Sequence, residues 1–226
     1  MKLAYQLVYS TKRRSVALQI KHGQLTVRAP VGISEADIQQ LVIAKQPWID
    51  KHLKLAKTQV PPDWMALKTL PFQQRQLTFD VRLSSQSGIR WSDDKLQISL
   101  SSRCQAKNLD VHARKQIKHW YQQQAQQWFG QRLAYWQQQM ELTAVRFVIG
   151  DWKSRWGYCN SKAELGFNWR LMMVPDWVAD YVVVHELAHL RYLNHSAKFW
   201  QLVHKHYPGA KAAAEFLKQN QYWMNI

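Results

Sequence analysis

The chain has 226 residues, 46% of them hydrophobic, so it is long enough to bury a core as one large domain or as a small domain plus a larger one. Its two cysteines, Cys104 and Cys159, are far apart and form no C-x-x-C pair, which excludes a disulfide framework and a four-cysteine zinc site. The formal net charge of +16 predicts attraction to polyanions such as nucleic acid, although the basic residues are scattered and no known nucleic-acid-binding motif is present.

The sequence contains no targeting or membrane-spanning signal. No run of about eighteen apolar residues occurs, and residues 1–6 lack the apolar core and cleavage site of a secretory signal. We therefore expect a cytoplasmic protein without a membrane partner. The oligomeric state is not indicated by the sequence.

The first third of the chain predicts strands followed by a helix. Apolar and polar residues alternate over residues 5–9, 15–21 and 24–28, with a His22-Gly23 turn between the last two, which indicates an antiparallel sheet. Ser34 begins a helical pattern that continues to about Lys57, and Pro47 kinks or splits it.

A Val-Pro-Pro-Asp stretch at residues 60–63 is typical of a linker, and strand alternation returns over 76–83, 89–91 and 96–100. Residues 108–140 are Gln-rich with aromatic residues at helical spacing, which predicts a long helix with Gly130 as a candidate point of interruption. The candidate inner positions of this helix are Ile117, Trp120, Tyr121, Trp128, Leu133, Tyr135 and Trp136.

The last third predicts two strands, a buried helix and two closing helices. The strands cover 145–149 and 165–174, joined by an Arg-Trp-Gly-Tyr-Cys loop, and Pro208-Gly209 separates the closing helices. The predicted fold class is α+β, with a β-rich antiparallel region and helices over residues 1–105 and a second domain over residues 106–226.

His185, Glu186 and His189 form an H-E-x-x-H motif in the helix that opens after Pro175 and Asp176. Side chains four residues apart share one helix face, so His185 and His189 can bind one zinc ion. Glu186 is then placed as the general base that takes a proton from a zinc-bound water.

The third ligand of this zinc ion is expected to be His195. The helical pattern continues to Leu193, and Asn194 suits the left-handed residue that turns the chain back towards the metal. Three protein ligands leave the fourth position to water, which indicates catalysis. Glu215 is the alternative third ligand, and Cys159 is expected to be packed rather than to bind the metal.

These motifs, read together, resemble the YgjP-like metallopeptidase domain family of bacteria. The resemblance rests on Ser154–Cys159, Leu165–Leu171, His185–Leu190, Asn194–Ser196 and Phe199–Trp200. It implies a zincin-like C-terminal domain, distantly similar to SprT and WLM domains, with His185, His189 and His195 as metal ligands and Glu186 as catalytic base. Tyr158 departs from the small Ser or Thr that is commoner in the family.

The expected function is a zinc-dependent metallopeptidase that holds one zinc ion per chain and cleaves a peptide or protein substrate. We expect residues 166–171 to lend a free strand edge to the substrate and Arg170 to stabilise the oxyanion, ahead of Arg155, Tyr192 and His204. Asp176 or Asp180 is a candidate to orient an imidazole, and Phe199, Trp200 and Val203 are expected to brace the ligand loop.

Three other functions fit the same residues. The metal could hydrolyse an anionic small molecule such as a nucleotide phosphoanhydride, although no Gly-rich phosphate loop is present. The protein could be a protease that acts on nucleic acid, held there by its basic residues. The metal could also stabilise a fold without catalysis, which would leave Glu186 without a task.

Overall fold

The computed structural model describes residues 4–21, 23–58 and 63–221. The chain forms two compact units, residues 1–61 and 62–226. This division lies well before the expected boundary at residue 105, because the strands that follow residue 62 share a hydrophobic core with the long helix after residue 108. The Val-Pro-Pro part of the expected linker, residues 60–62, lies outside the described residues.

The first unit contains a three-stranded sheet of β1 (Gln6–Ser10), β2 (Ala17–Lys21) and β3 (Gln24–Pro30) in the order β1-β3-β2. β2 and β3 are antiparallel as expected, but β1 runs parallel to β3. The difference arises because β3 inserts between the first two strands instead of adding outside them. The predicted turn consists of His22 and Gly23. Gly23 has a φ of 74°, which glycine adopts readily, and His22 lies outside the described residues.

Two helices complete the first unit. Ser34 caps α1 (Glu35–Ala44) by accepting a hydrogen bond from the Asp37 amide, and α2 spans Gln46–Thr58. The predicted helix is therefore split, with Pro47 in the first turn of α2, where it needs no hydrogen-bond donor. The buried apolar residues of this unit are Leu25, Val27, Ala29, Ile38, Val42 and Ile49.

The second unit begins with the short helix α3 (Trp64–Leu67) and a four-stranded mixed sheet. Its strands are β4 (Thr69–Phe72), β5 (Arg75–Ser84), β6 (Gly88–Ser92) and β7 (Lys95–Ser101), in the order β4-β5-β7-β6. β5 and β7 are parallel, and the other neighbouring pairs are antiparallel. The sequence had not predicted α3 or β4, which are each only four residues long.

The long helix α4 spans Leu109–Met140 without interruption at Gly130. Trp120, Tyr121 and Phe129 are buried in the core of the second unit, which confirms that its aromatic face points inward. Tyr135 is the exception among the expected inner positions, because its side chain is 45% exposed. The glutamines therefore form the polar outer face of an ordered helix.

A second small sheet precedes the H-E-x-x-H helix. β8 (Arg146–Gly150), β9 (Gly157–Cys159) and β10 (Glu164–Asn168) lie in the order β8-β10-β9, so β10 is the central strand. The expectation that residues 166–171 form a free edge is wrong, and so is a strand continuing to 174. The Asn168 side chain accepts a hydrogen bond from the Arg170 amide and begins a buried 3₁₀ turn over Trp169–Met173.

Three helices end the second unit: α5 (Asp176–Ala188), α6 (Ala197–His206) and α7 (Ala210–Gln219). Pro208 and Gly209 separate the last two as predicted. Val183, Val184, Leu187 and Ala188 of α5 are fully buried in the core. None of the helices described is long and apolar enough to span a lipid bilayer.

Candidate metal centre

Helix α5 presents His185 and His189 one turn apart, but it ends earlier than the sequence predicted. The last helical residue is Ala188, and His189 follows in a right-handed conformation as the C-cap. Asn194 is not among the residues with positive φ, so it does not turn the chain as expected. The turn is made earlier, by amides of Leu190, Arg191 and Tyr192 that donate to the Leu187 and Ala188 carbonyls.

His195 completes a group of three imidazoles. The ligand-capable atoms of His185, His189 and His195 all lie within 4.8 Å of one another. The two Nε2 atoms of His185 and His195 are 3.1 Å apart, so both nitrogens face the same point. Among the residues described, this is the one cluster of three or more His, Cys, Asp or Glu side chains able to hold a metal ion.

The Nδ1 atoms of the two helix histidines have partners that orient the rings. Nδ1 of His189 lies 3.0 Å from the Tyr192 carbonyl, and Nδ1 of His185 lies 3.3 Å from the Tyr181 hydroxyl. A proton on Nδ1 satisfies the carbonyl and leaves the Nε2 lone pair for a metal ion. The Tyr192 carbonyl therefore holds His189 in the tautomer that a metal site requires, and the Tyr181 hydroxyl helps to fix the orientation of the His185 ring.

The acids that were expected to orient an imidazole lie elsewhere. Asp180 accepts two 2.7 Å hydrogen bonds from Arg132 and a 2.9 Å bond from Trp136, which join α5 to α4. Asp176 accepts hydrogen bonds from the Gln74 side chain and the Trp177 amide. Both expectations are wrong, because these carboxylates join α5 to its neighbours rather than to the histidines.

Phe199 of α6 packs against all three imidazoles, with ring-centroid distances of 4.9 Å to His185, 4.5 Å to His189 and 4.8 Å to His195. Trp200 stacks on His195 at 5.7 Å. Phe199 is fully buried. The expected packing of Phe199 and Trp200 against the histidines is confirmed, and His185 and His189 are partly buried, whereas His195 is exposed.

Burial first, and then the neighbouring His189 and His195, lower the pKa of His185 to about 3. Burial and His195 also lower the pKa of His189, although the Tyr192 carbonyl opposes this shift. Both rings are therefore neutral near pH 7, and a neutral imidazole is the form that binds a metal ion.

Glu186 is 6% exposed and lies against the backbone of Gly157. A Cβ built on Gly157 would lie 2.6 Å from Oε1 of Glu186, so the glycine makes room for this carboxylate. Burial raises the pKa of Glu186 to about 8, although the charge of Arg155 opposes the shift. The glycine of the Arg-Trp-Gly segment was visible in the sequence, but its contact with Glu186 was not predicted.

Asn168 holds the Arg-Trp-Gly segment in place. Its Nδ2 donates to the Trp152 carbonyl at 2.7 Å and to the Arg155 carbonyl at 3.0 Å, and its amide donates to the Trp156 carbonyl at 2.8 Å. Because Asn168 is fully buried, these bonds are shielded from water. Asn168 thereby fixes the loop that carries Gly157 to Glu186.

Arg170, the residue expected to stabilise the oxyanion, is only 2% exposed. Its Nη1 forms a 2.5 Å ion pair with Asp151, and its guanidinium lies 4.5 Å from the centre of the Trp169 ring. The contacts described for Arg170 include Oδ1 of Asn168 but none of the three histidines. Arg155, in contrast, lies near enough to Glu186 to influence its pKa.

The remaining candidates do not join the histidine cluster. Glu215 lies on α7 and accepts hydrogen bonds from Lys218 and Gln219. Cys159 is half-buried beside the core, and burial followed by the Glu186 charge raises the pKa of its thiol to about 11. A thiol with so high a pKa is a poor metal ligand, because metals bind the thiolate.

Three convergent imidazoles that could hold a metal ion, with a carboxylate next to the first of them, form an arrangement of the kind that metal-dependent hydrolases use. A family model described as YgjP-like, metallopeptidase domain matches residues 14–220. The chain therefore belongs to the YgjP-like family, as its motifs predicted, and the family implies a metal ion. Comparison with curated proteins and with solved structures finds no match.

Proposed function

We propose that the protein is a zinc-dependent metallopeptidase in which His185, His189 and His195 bind the metal through Nε2. The observation that carries the proposal is the convergence of these three imidazoles beside a buried carboxylate. Three nitrogen donors suit zinc and leave one coordination position for the reaction. A zinc ion held there supplies a Lewis acid that activates water and polarises a substrate carbonyl.

Glu186 is the proton carrier of this reaction. Its carboxylate accepts a proton from the attacking water as the C–O bond forms, and it gives that proton to the amide nitrogen as the C–N bond breaks. The same proton is taken and returned, so the carboxylate ends as it began. Burial raises the pKa of Glu186, and a cation held by the three histidines would oppose that shift and favour the carboxylate that accepts the proton.

Strand β9 is the edge that we propose for the substrate, in place of residues 166–171. The Asn168 amide donates to the Trp156 carbonyl, and the Asn160 amide donates to the Glu164 carbonyl. Because hydrogen-bonded residues alternate in an antiparallel pair, the backbone groups of Gly157 and Cys159 point away from β10. An extended peptide paired with them would lie next to Glu186.

We propose different tasks for the two candidate arginines. Arg155 is the one whose charge acts on Glu186, so it is placed to stabilise negative charge that develops during the reaction. Arg170 is a positioning residue, because it bonds Asn168, and Asn168 holds the carbonyl of Arg155.

Glu186→Gln tests the mechanism. The variant should bind one zinc ion per chain, measured by elemental analysis, while cleavage of a fluorogenic peptide library falls by about a hundredfold or more. Glu215→Gln is the matched control and should keep both zinc and activity. Unchanged cleavage by Glu186→Gln would rule out this carboxylate as the base, and zinc loss in Glu215→Gln would return Glu215 to the ligand set.

A further inference from the structure

The excess of positive charge per residue is higher in the first unit than in the second. Residues 1–61 contain ten Lys and Arg against three Asp and Glu, a formal charge of +7. Residues 62–226 contain 21 against 12, a formal charge of +9 on a segment more than twice as long. The first unit therefore presents the higher density of positive charge to a polyanion.

This unit also contains an open apolar groove of about 270 Å³. Leu18 of β2 and the preceding Val16 line one part of it, and Leu41 of α1 lines another. Trp48 and Lys45 complete the lining, and the Trp48 side chain is 38% exposed. The groove thus offers an accessible aromatic ring and a cation side by side.

Trp48 belongs to a stacked aromatic pair. Its ring centre lies 4.2 Å from that of His52, with 28° between the planes, and Nδ1 of His52 lies 2.8 Å from the Trp48 carbonyl. The contact with the carbonyl holds the two residues in this arrangement. Two stacked rings form a wider and more rigid flat surface than one tryptophan, and a further planar group can stack on such a surface.

One basic residue lines the groove, and two others stand close in sequence to residues that line it. The Ile49 amide donates to the Lys45 carbonyl, so Lys45 lies one helical turn before Trp48, and Lys51 lies one turn after it. Arg14 is exposed and stands two residues before Val16. Within the part of the chain that the structure describes, no ion pair joins Lys45, Lys51 or Arg14 to an acidic side chain.

We propose that this groove binds single-stranded nucleic acid, with a base on Trp48 and neighbouring phosphates on Lys45, Lys51 and Arg14. A single strand combines planar apolar rings with regularly spaced negative charges, which matches an aromatic ring between cations. An acidic peptide supplies the charges without the rings, and a duplex keeps its bases stacked on one another. The proposal does not depend on the reaction at the histidine cluster.

Binding is measured with the full chain and a fluorescein-labelled oligothymidylate of about fifteen nucleotides, by fluorescence anisotropy over a range of salt concentrations. Trp48→Leu should weaken binding by about five- to a hundredfold, the effect of losing one stacked base. The same sequence annealed to its complement should bind more weakly than the single strand.

The double variant Lys45→Gln/Lys51→Gln tests the cations independently of Trp48. It should weaken binding and reduce the slope of log K against log salt by about 1.4, since a single strand loses roughly 0.7 for each lost phosphate contact. Its matched control is Lys107→Gln/Lys162→Gln, which removes the same net charge from exposed positions of the second unit and should leave the slope unchanged. Circular dichroism and Tm confirm folding.

Three outcomes would overturn the proposal. One is that the two double lysine variants weaken oligonucleotide binding equally, which would show that binding depends only on net charge. A second is full displacement of the oligonucleotide by polyglutamate at the same concentration of charge, which would show that the rings are not recognised. The third is groove-dependent binding to vesicles containing phosphatidylserine without any binding to oligothymidylate, which would assign the groove to an anionic membrane surface.

Discussion

At the scale of single residues, the candidate site depends on the absence of a side chain at Gly157. The Oε1 atom of Glu186 would lie 2.6 Å from a Cβ at this position. The position of Glu186, the proton carrier of the proposed reaction, therefore depends on a glycine in another element, Gly157 of β9. The Tyr192 carbonyl has a comparable influence on His189, because it can only accept a proton from Nδ1 and so leaves the Nε2 lone pair free.

Gly157→Ala should displace the Glu186 carboxylate, since the added methyl group has no free space. We expect stability to fall by about 1–3 kcal/mol, the usual cost of overpacking, and peptide cleavage to fall by at least tenfold while zinc is retained. Gly88→Ala is the control, because a Cβ there meets nothing within 4 Å. Steady-state kinetics and zinc content measure the two effects, and unchanged kinetics in Gly157→Ala would contradict the packing argument.

At the scale of elements, α6 positions the third histidine. Ser196, which follows His195 directly, caps α6 by accepting a hydrogen bond from the Phe199 amide. The start of the helix, the histidine and the Phe199 brace are therefore one local structure. This explains why the Asn194-His195-Ser196 segment and Phe199 stand so near one another in the sequence.

Ser196→Ala should cost about 0.5–2 kcal/mol of stability through loss of the cap. It should also weaken zinc binding, because His195 is then held less firmly. Ser34→Ala removes the corresponding cap of α1 and should lower stability by a similar amount without changing zinc affinity. Competition with a chromogenic zinc chelator measures the affinity, and equal affinity in the two variants would show that the α6 cap does not support the ligand.

Strand β9 gives a second prediction at this scale. Cys159→Pro removes an amide that points away from β10, so it should leave the β9–β10 hydrogen bonds intact. We expect the kcat/KM for peptides to fall by about two- to tenfold, the effect of one lost hydrogen bond, and zinc binding to persist. Cys159→Val keeps the amide and is the control. If both variants behave alike, the substrate does not pair with this edge.

At the scale of the whole molecule, the partly exposed carboxylate of Asp151 connects α4 to the 3₁₀ turn over Trp169–Met173. Asp151 accepts hydrogen bonds from Lys118 of α4, from Trp169 and from Arg170. Burial opposes ionisation, but these three partners outweigh it and lower the pKa of Asp151 from 3.8 to about 2. The ionised carboxylate thus stabilises the second unit.

The acid stability of the protein should reflect this pKa. Because the folded-state pKa of Asp151 lies below its unfolded value, its contribution is complete above about pH 4 and is lost as the pH falls towards 2. Asp151→Asn should reduce the free energy of unfolding by about 1–3 kcal/mol at pH 6 and flatten its decline between pH 5 and 2. Urea unfolding at several pH values measures both. A parallel decline in the variant and the natural protein would exclude Asp151 as the titrating group.

The sequence was most informative where a pattern is local. Helical spacing brought His185 and His189 to one face, and apolar periodicity located α4, α5 and the two closing helices. His195 was also placed near them, although for the wrong reason, since the chain turns through Leu190–Tyr192 and not through a left-handed Asn194. Such features depend on backbone geometry within a few residues.

Features that depend on residues distant in sequence were decided only by the tertiary structure. The central position of β10, the contact of Gly157 with Glu186 and the burial of Arg170 beside Asp151 each join separate segments. Periodicity reports which face of a strand or helix is buried, but not which other element covers it. The sequence thus determined the metal-binding residue types and their helix, whereas the packing of neighbouring elements decided how each of them is oriented and solvated.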